Sequence, residues 1–203
     1  MILCAACAEP NAVDLFPLPS IMGASVSPLP GNVLGAVVSA NTGDADSVRA
    51  KFRLASASAS EKDSVTPAVL VTAGVAQIPV LGLLPEQHYL LRVVAFGPGG
   101  ETDGQNLSIT TGALPSDLAY YTASGDSPSP GYVVFAAGRY GVVIDNTGRV
   151  VWYHEFPNGP GLNFMPQANG RYIARPATPD PLDEEKWIEV NTLGEQTRTL
   201  GCA

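Results

Sequence analysis

The chain has 203 residues, with 11 Lys and Arg against 19 Asp and Glu, a net charge of −8 at neutral pH. An acidic balance without a basic cluster leaves no footprint for a phosphate backbone and argues against nucleic acid as a partner, and no apolar run reaches the roughly 18 to 20 residues that a membrane-crossing helix needs. The chain is 45% hydrophobic, enough to bury a core, and its 21 Gly and 18 Pro are scattered without a period, which predicts many turns and short strands rather than long helices.

Residues 1–20 hold two of the three cysteines, Cys4 and Cys7, far from Cys202, so no disulfide framework is expected to hold a core together. The small residues before Cys7 resemble the end of a bacterial lipoprotein signal, with Cys7 as the lipidated residue and the following Pro-containing stretch as a tether. That resemblance implies export and attachment to a membrane through a lipid on Cys7. A plain apolar start with two incidental thiols is an alternative, and so is a CxxC metal or redox motif. Zinc would need two more ligands, and neither His88 nor His154 lies near another Cys or His.

Residues 21–112 read as one all-β module of short strands at 23–26, 33–38, 48–54, 69–71, 76–80, 89–96 and 107–109. In the third of these, Val48, Ala50, Phe52 and Leu54 alternate with Arg49, Lys51 and Arg53, the period-two signature of a sheet with one apolar and one solvated face. The run Leu84-Pro85-Glu86-Gln87-His88-Tyr89 has the form of a tyrosine corner, in which the Tyr89 hydroxyl bonds back to upstream backbone. His88 falls on the opposite face and reads as an ordinary exposed side chain. With its Gly-Pro-Gly-Gly turn at 97–100 and its Thr110-Thr111-Gly112 end, the module resembles an immunoglobulin or fibronectin type III-like sandwich.

Residues 113–130, rich in Pro and Ser, read as a linker that includes an extended piece at 118–122. Residues 131–203 then read as two successive sets of strands, at 131–137, 140–145 and 149–154, and at 162–167, 171–174, 186–190 and 195–200. Turns at Asp145-Asn146-Thr147-Gly148 and Asn191-Thr192-Leu193-Gly194 repeat at 46 residues, the period of a β-propeller blade. About 73 residues hold two blades, whereas a closed propeller needs on the order of 160. The region is therefore expected to be an incomplete propeller, with an open edge, an uncovered apolar face and a tendency to unfold beyond Gly131 while the first module stays folded.

This order of parts resembles the start of a bacterial aryl sulfotransferase-type protein. It is carried by the lipoprotein-like start, the sandwich ending in Thr-Thr-Gly, the Asp145-x-x-Gly148-x-x-x-Trp152 element and Asn169-Gly170-Arg171-Tyr172-Ile173. The resemblance implies an exported, periplasmic or cell-envelope protein that moves sulfate from a phenolic sulfate ester to a phenol through a sulfated histidine, with no cofactor. It also implies that the histidine lies outside this chain, which then carries no catalytic residue of its own. His154 reads as an exposed rim residue. Asp183-Glu184-Glu185 reads as a solvated acidic loop rather than a calcium loop. Arg171 and Arg175 share a strand face and are candidates to meet an anionic ester. Two other readings stay open: a noncatalytic surface adhesion or scaffold protein with the same two architectures, and a propeller dehydrogenase with a quinone cofactor, for which stacking aromatics are missing.

Overall fold

The structure, a computed structural model, describes residues 16–58, 60–125, 129–161, 163–177 and 186–201. It is all-β: among the described residues no helix occurs, and every strand pairing is antiparallel.

Strands β1 (Ser20–Pro28), β2 (Gly35–Gly43) and β6 (Val75–Leu81) form a first sheet in the order β1-β2-β6. A second sheet runs β4-β3-β7-β8, from β4 (Ser64–Val65), β3 (Ser47–Leu54), β7 (His88–Gly97) and β8 (Gly100–Thr110), and β5 (Val69–Leu70) also pairs with β3. Alternation drives their meeting. Ala36, Val38 and Ala40 of β2 and Ala76, Ile78 and Val80 of β6 point to the same core as Val48 and Ala50 of β3 and Leu91, Val93 and Ala95 of β7. Each fully buried Val, Leu or Ile contributes about 1.5 to 3 kcal/mol relative to exposure, so this shared interior fixes both sheets and their registers. The tyrosine corner is present: the Tyr89 hydroxyl oxygen accepts from the Leu84 amide at 2.9 Å. Thr111 closes the same corner, its hydroxyl donating to the Leu84 carbonyl at 2.6 Å.

The third sheet has the order β11-β10-β9, from β9 (Tyr132–Ala137), β10 (Tyr140–Asp145) and β11 (Val150–Glu155). The fourth is a simple meander of β12 (Phe164–Pro166), β13 (Tyr172–Ala174), β14 (Trp187–Val190) and β15 (Gln196–Leu200). Strand β10 is buried on both sides, which explains why its sequence is continuously apolar instead of alternating. On one side Tyr140 and Val142 join Leu34, Leu118, Val150 and Tyr153; on the other Val143 joins Trp152, Phe156, Phe164, Ala174 and Val190. Close approach of the fourth sheet needs Gly141, because a Cβ there would lie 2.7 Å from the Phe164 ring.

Both repeated turns are built alike. The Gly148 amide donates to the Asp145 carbonyl and the Gly194 amide to the Asn191 carbonyl, each at 3.0 Å. Gly148 and Gly194 sit at φ 87° and 79°, the left-handed region that glycine enters without penalty. A third turn, Gln167 to Arg171 with Gly170 at φ 77°, repeats the same backbone pattern.

The connecting segment holds no strand at 118–122 and packs on its neighbours: Leu118 is buried and Tyr121 meets the Phe135 ring edge-on at 5.0 Å. The short strand β4 carried no sequence signal, since two residues cannot display a period. Beyond Gly131 the central strand β10 of the third sheet is covered on both faces, while Tyr132 and Val133 of β9 are exposed. The outward face of the fourth carries Met165, Ile173, Trp187 and Leu200, partly exposed, beside a polar cluster around Glu189.

Candidate functional site

Several residues singled out by sequence lie outside the described residues: Cys7, with Cys4 and Cys202, and the acidic run 183–185. His88 is exposed, and its Nδ1 stands 3.0 Å from the Thr110 hydroxyl across the β7–β8 ladder. His154 is not on an exposed rim. It is half-buried, lies parallel to Trp152 with ring centroids 6.1 Å apart and meets Phe156 edge-on at 4.6 Å. Burial holds its imidazole below the ordinary value, against the opposing pull of Glu155, so it is neutral at neutral pH.

Arg171 pairs with Glu189 at 2.5 Å. Glu189 is buried and also accepts from the Thr197 hydroxyl at 2.8 Å and the Asn169 amide at 3.1 Å. Those three side chains, Arg171 foremost, hold its carboxyl at about 2 despite burial. The amide of Arg175 donates to the Asn163 carbonyl at 3.4 Å. Strand β13 spans Tyr172–Ala174, so Arg171 and Arg175 bracket it.

What the sequence did not announce is a junction joining the first and third sheets. Between β1 and β2, the buried Asn32 donates from Nδ2 to the Tyr153 carbonyl at 2.8 Å, and the Tyr153 hydroxyl oxygen accepts from the Val33 amide at 3.1 Å. Asn32 Oδ1 also accepts from the Leu34 amide at 2.9 Å, which presets the loop for the contact. A second clamp forms where Asp117 accepts from the Tyr140 hydroxyl at 2.8 Å and pairs with Arg139 at 2.9 Å, while Arg139 also reaches Glu155 at 3.2 Å. The hydrogen bond from Tyr140, followed by the Arg139 contacts, outweighs burial and lowers the Asp117 carboxyl.

Beside the junction opens a cleft of about 320 Å³ between Leu81 and Gly82 of the first region and Tyr132, Arg149, Trp152 and Tyr172 of the later sheets. Trp152 and Tyr172 stack at 4.7 Å in its lining, backed by the buried Phe164, which meets Tyr172 at 5.1 Å. The indole N–H of Trp152 donates to the Thr192 carbonyl at 2.8 Å, tying the stack to the turn of the fourth sheet. Arg149 stands at the mouth, its Nε on Asp145 at 2.9 Å. Chemically the cleft suits a flat, partly apolar ring with a negative group toward Arg149. Among the described residues no group of three His, Cys, Asp or Glu could hold a metal ion.

No protein-family model matches this chain, and no curated protein matches it.

Proposed function

We propose that the chain belongs to an exported protein of the aryl sulfotransferase type, in which residues 21–112 act as an immunoglobulin or fibronectin type III-like sandwich and residues 131–203 as blades of a β-propeller. The observation that carries this reading is the pair of Asx–Gly turns, 46 residues apart, closing corresponding hairpins of two sheets that stack face to face. The residues in hand supply scaffold and docking to such an enzyme: His154 is wedged among rings, and His88 is a surface partner of Thr110. A histidine that attacks sulfur needs converging cations or N–H donors around the transferred group, and neither histidine has that setting among the described residues. Incubation of the full gene product that contains this chain with 4-nitrophenyl sulfate and a phenol tests the reading: acceptor-dependent release of 4-nitrophenol with a sulfated histidine supports it, and no transfer ends it.

A noncatalytic scaffold or adhesion protein is the second reading. It is favoured by the Asn32–Tyr153 clamp, which ties the first region to the third sheet, and by the Asp117–Tyr140 clamp, which pins the connecting segment to that sheet, neither of them forming a reactive constellation. The same assay separates the two readings, because a scaffold transfers no sulfate.

A further inference from the structure

We propose that a basic groove, running over the solvent face of the second sheet into the junction cleft, binds an elongated anionic polysaccharide of the uronate- or sulfate-bearing class. Three adjoining hollows compose it. The first, about 230 Å³, is lined by Lys51, Phe52, Arg53 and Arg92. The second, about 330 Å³, shares Phe52 and Arg53 with the first and adds Lys62, Gly82 and Arg149. The third is the 320 Å³ cleft, which Gly82 and Arg149 also line. The hollows thus adjoin one another at shared residues.

Strand geometry sets the cations in a row. Lys51 and Arg53 are two apart on the outward face of β3, and Arg92 stands directly across from Lys51 on β7. Five of the chain's 11 Lys and Arg therefore line one groove. Their carboxylate partners are fewer. Asp103 serves both Lys51 at 3.2 Å and Arg92 at 3.4 Å, Asp63 stands 3.8 Å from Arg53, Asp145 holds Arg149, and Glu61 turns to the Ser58 amide at 3.0 Å. Five cations against four carboxylates reverse the sign of a chain that is −8 overall.

The occupant follows from what is left to bind it. Strand β3 is paired with β7 on one side and with β4 and β5 on the other, so a peptide cannot join it as an added strand. Recognition falls to side chains alone, by spaced charge and by rings, and Tyr132 and Tyr172 in the cleft offer surfaces for sugar rings beside the charged groups. Tyr132 is 71% exposed and available for it. A repeating anionic sugar fits both features; an acidic peptide fits only the charge.

Titration calorimetry on the whole 203-residue chain tests this. Polygalacturonate or dextran sulfate is expected to bind at low salt and weaken as salt rises, and neutral dextran is expected not to bind. Replacing Arg53→Gln and Arg92→Gln together is expected to weaken binding about tenfold, whereas Arg198→Gln, the same kind of loss on the fourth sheet, changes it less than about twofold. Should the double variant fold poorly, Lys62→Gln, outside any strand, is expected to weaken binding about threefold with an unchanged melting temperature. Tyr132→Ala is expected to weaken the polysaccharide and leave poly-glutamate unaffected. Absence of binding to both polyanions, an equal loss with Arg198→Gln, or poly-glutamate binding as tightly as polygalacturonate overturns the proposal.

Discussion

The third and fourth sheets share their turn and their strand phase yet present different surfaces. Moving 46 residues along the chain converts Val142 and Ile144, which face the junction, into Ile188 and Val190, which face the third sheet. These faces match in role. The opposite faces do not: Gly141, Val143 and Trp152 become Trp187, Glu189 and Arg198. Where the third sheet uses a glycine and a flat indole to let its neighbour close in, the fourth carries a buried carboxylate ringed by Arg171, Thr197 and Asn169. The repeated part is local, a turn and a hydrogen-bond pattern. The divergent part is tertiary, and it decides which face can accept another sheet.

The largest effect expected from breaking this contrast is at Trp152. Trp152→Ala removes the centre of the aromatic stack and should cost about 3 to 5 kcal/mol in chemical denaturation, while Arg198→Ala at the corresponding position should stay within about 0.5 kcal/mol. Next comes Gly141→Ala, which drives a Cβ into the Phe164 ring. That ring is held by Trp152 and Tyr172, so about 1 to 3 kcal/mol should be lost. Removing the junction anchor by Asn32→Ala leaves the buried Tyr153 carbonyl without its donor and should cost a similar or slightly smaller amount, about 1 to 3 kcal/mol. Thermal melts of this variant should separate into two transitions if the anchor couples the first and third sheets.

The smallest effects are electrostatic and appear in the pH profile. Glu189 and Asp145 both titrate near 2 when folded, below their ordinary values of 4.5 and 3.8. For Asp145, burial opposes the charge, but hydrogen bonds from Thr147 and Arg149 outweigh it. Their contribution is therefore complete above the ordinary values and is lost as pH falls toward about 2. His154, lowered by burial, adds a loss that begins as pH falls below its ordinary 6.5. Glu189→Gln should flatten the acid limb of a stability-versus-pH curve. Asp145→Asn copies the residue of the other turn and should do likewise, with the loss appearing at pH 7 because the charged acceptor of Arg149 is gone, although an Asn side chain can still accept the two amides as Asn191 does from Leu193 and Glu195.

Much of the architecture was legible where local pattern decides it. The alternation in β3, the Tyr89 corner and the Asx–Gly turns each depend on residues within a few positions of one another, and the structure shows them where the sequence put them. The junction was not legible, since Asn32 and Tyr153 are 121 positions apart and each looks locally like any turn or strand residue. Asp117 gave no sign for the same reason: its partner Tyr140 lies across a segment that composition marks as a linker. Arg149 hid in plain view as a turn residue, and only the stacking of Trp152 on Tyr172 makes its position the mouth of a cleft.

Strand β10 of the third sheet lies enclosed between the junction and the fourth sheet. Native-state hydrogen exchange read by mass spectrometry measures this directly. Amides of Tyr140–Asp145 should exchange about as slowly as those of the core strand His88–Gly97 and far more slowly than those of the exposed Gln196–Leu200. Exchange of Tyr140–Asp145 at the rate of Gln196–Leu200 would contradict it.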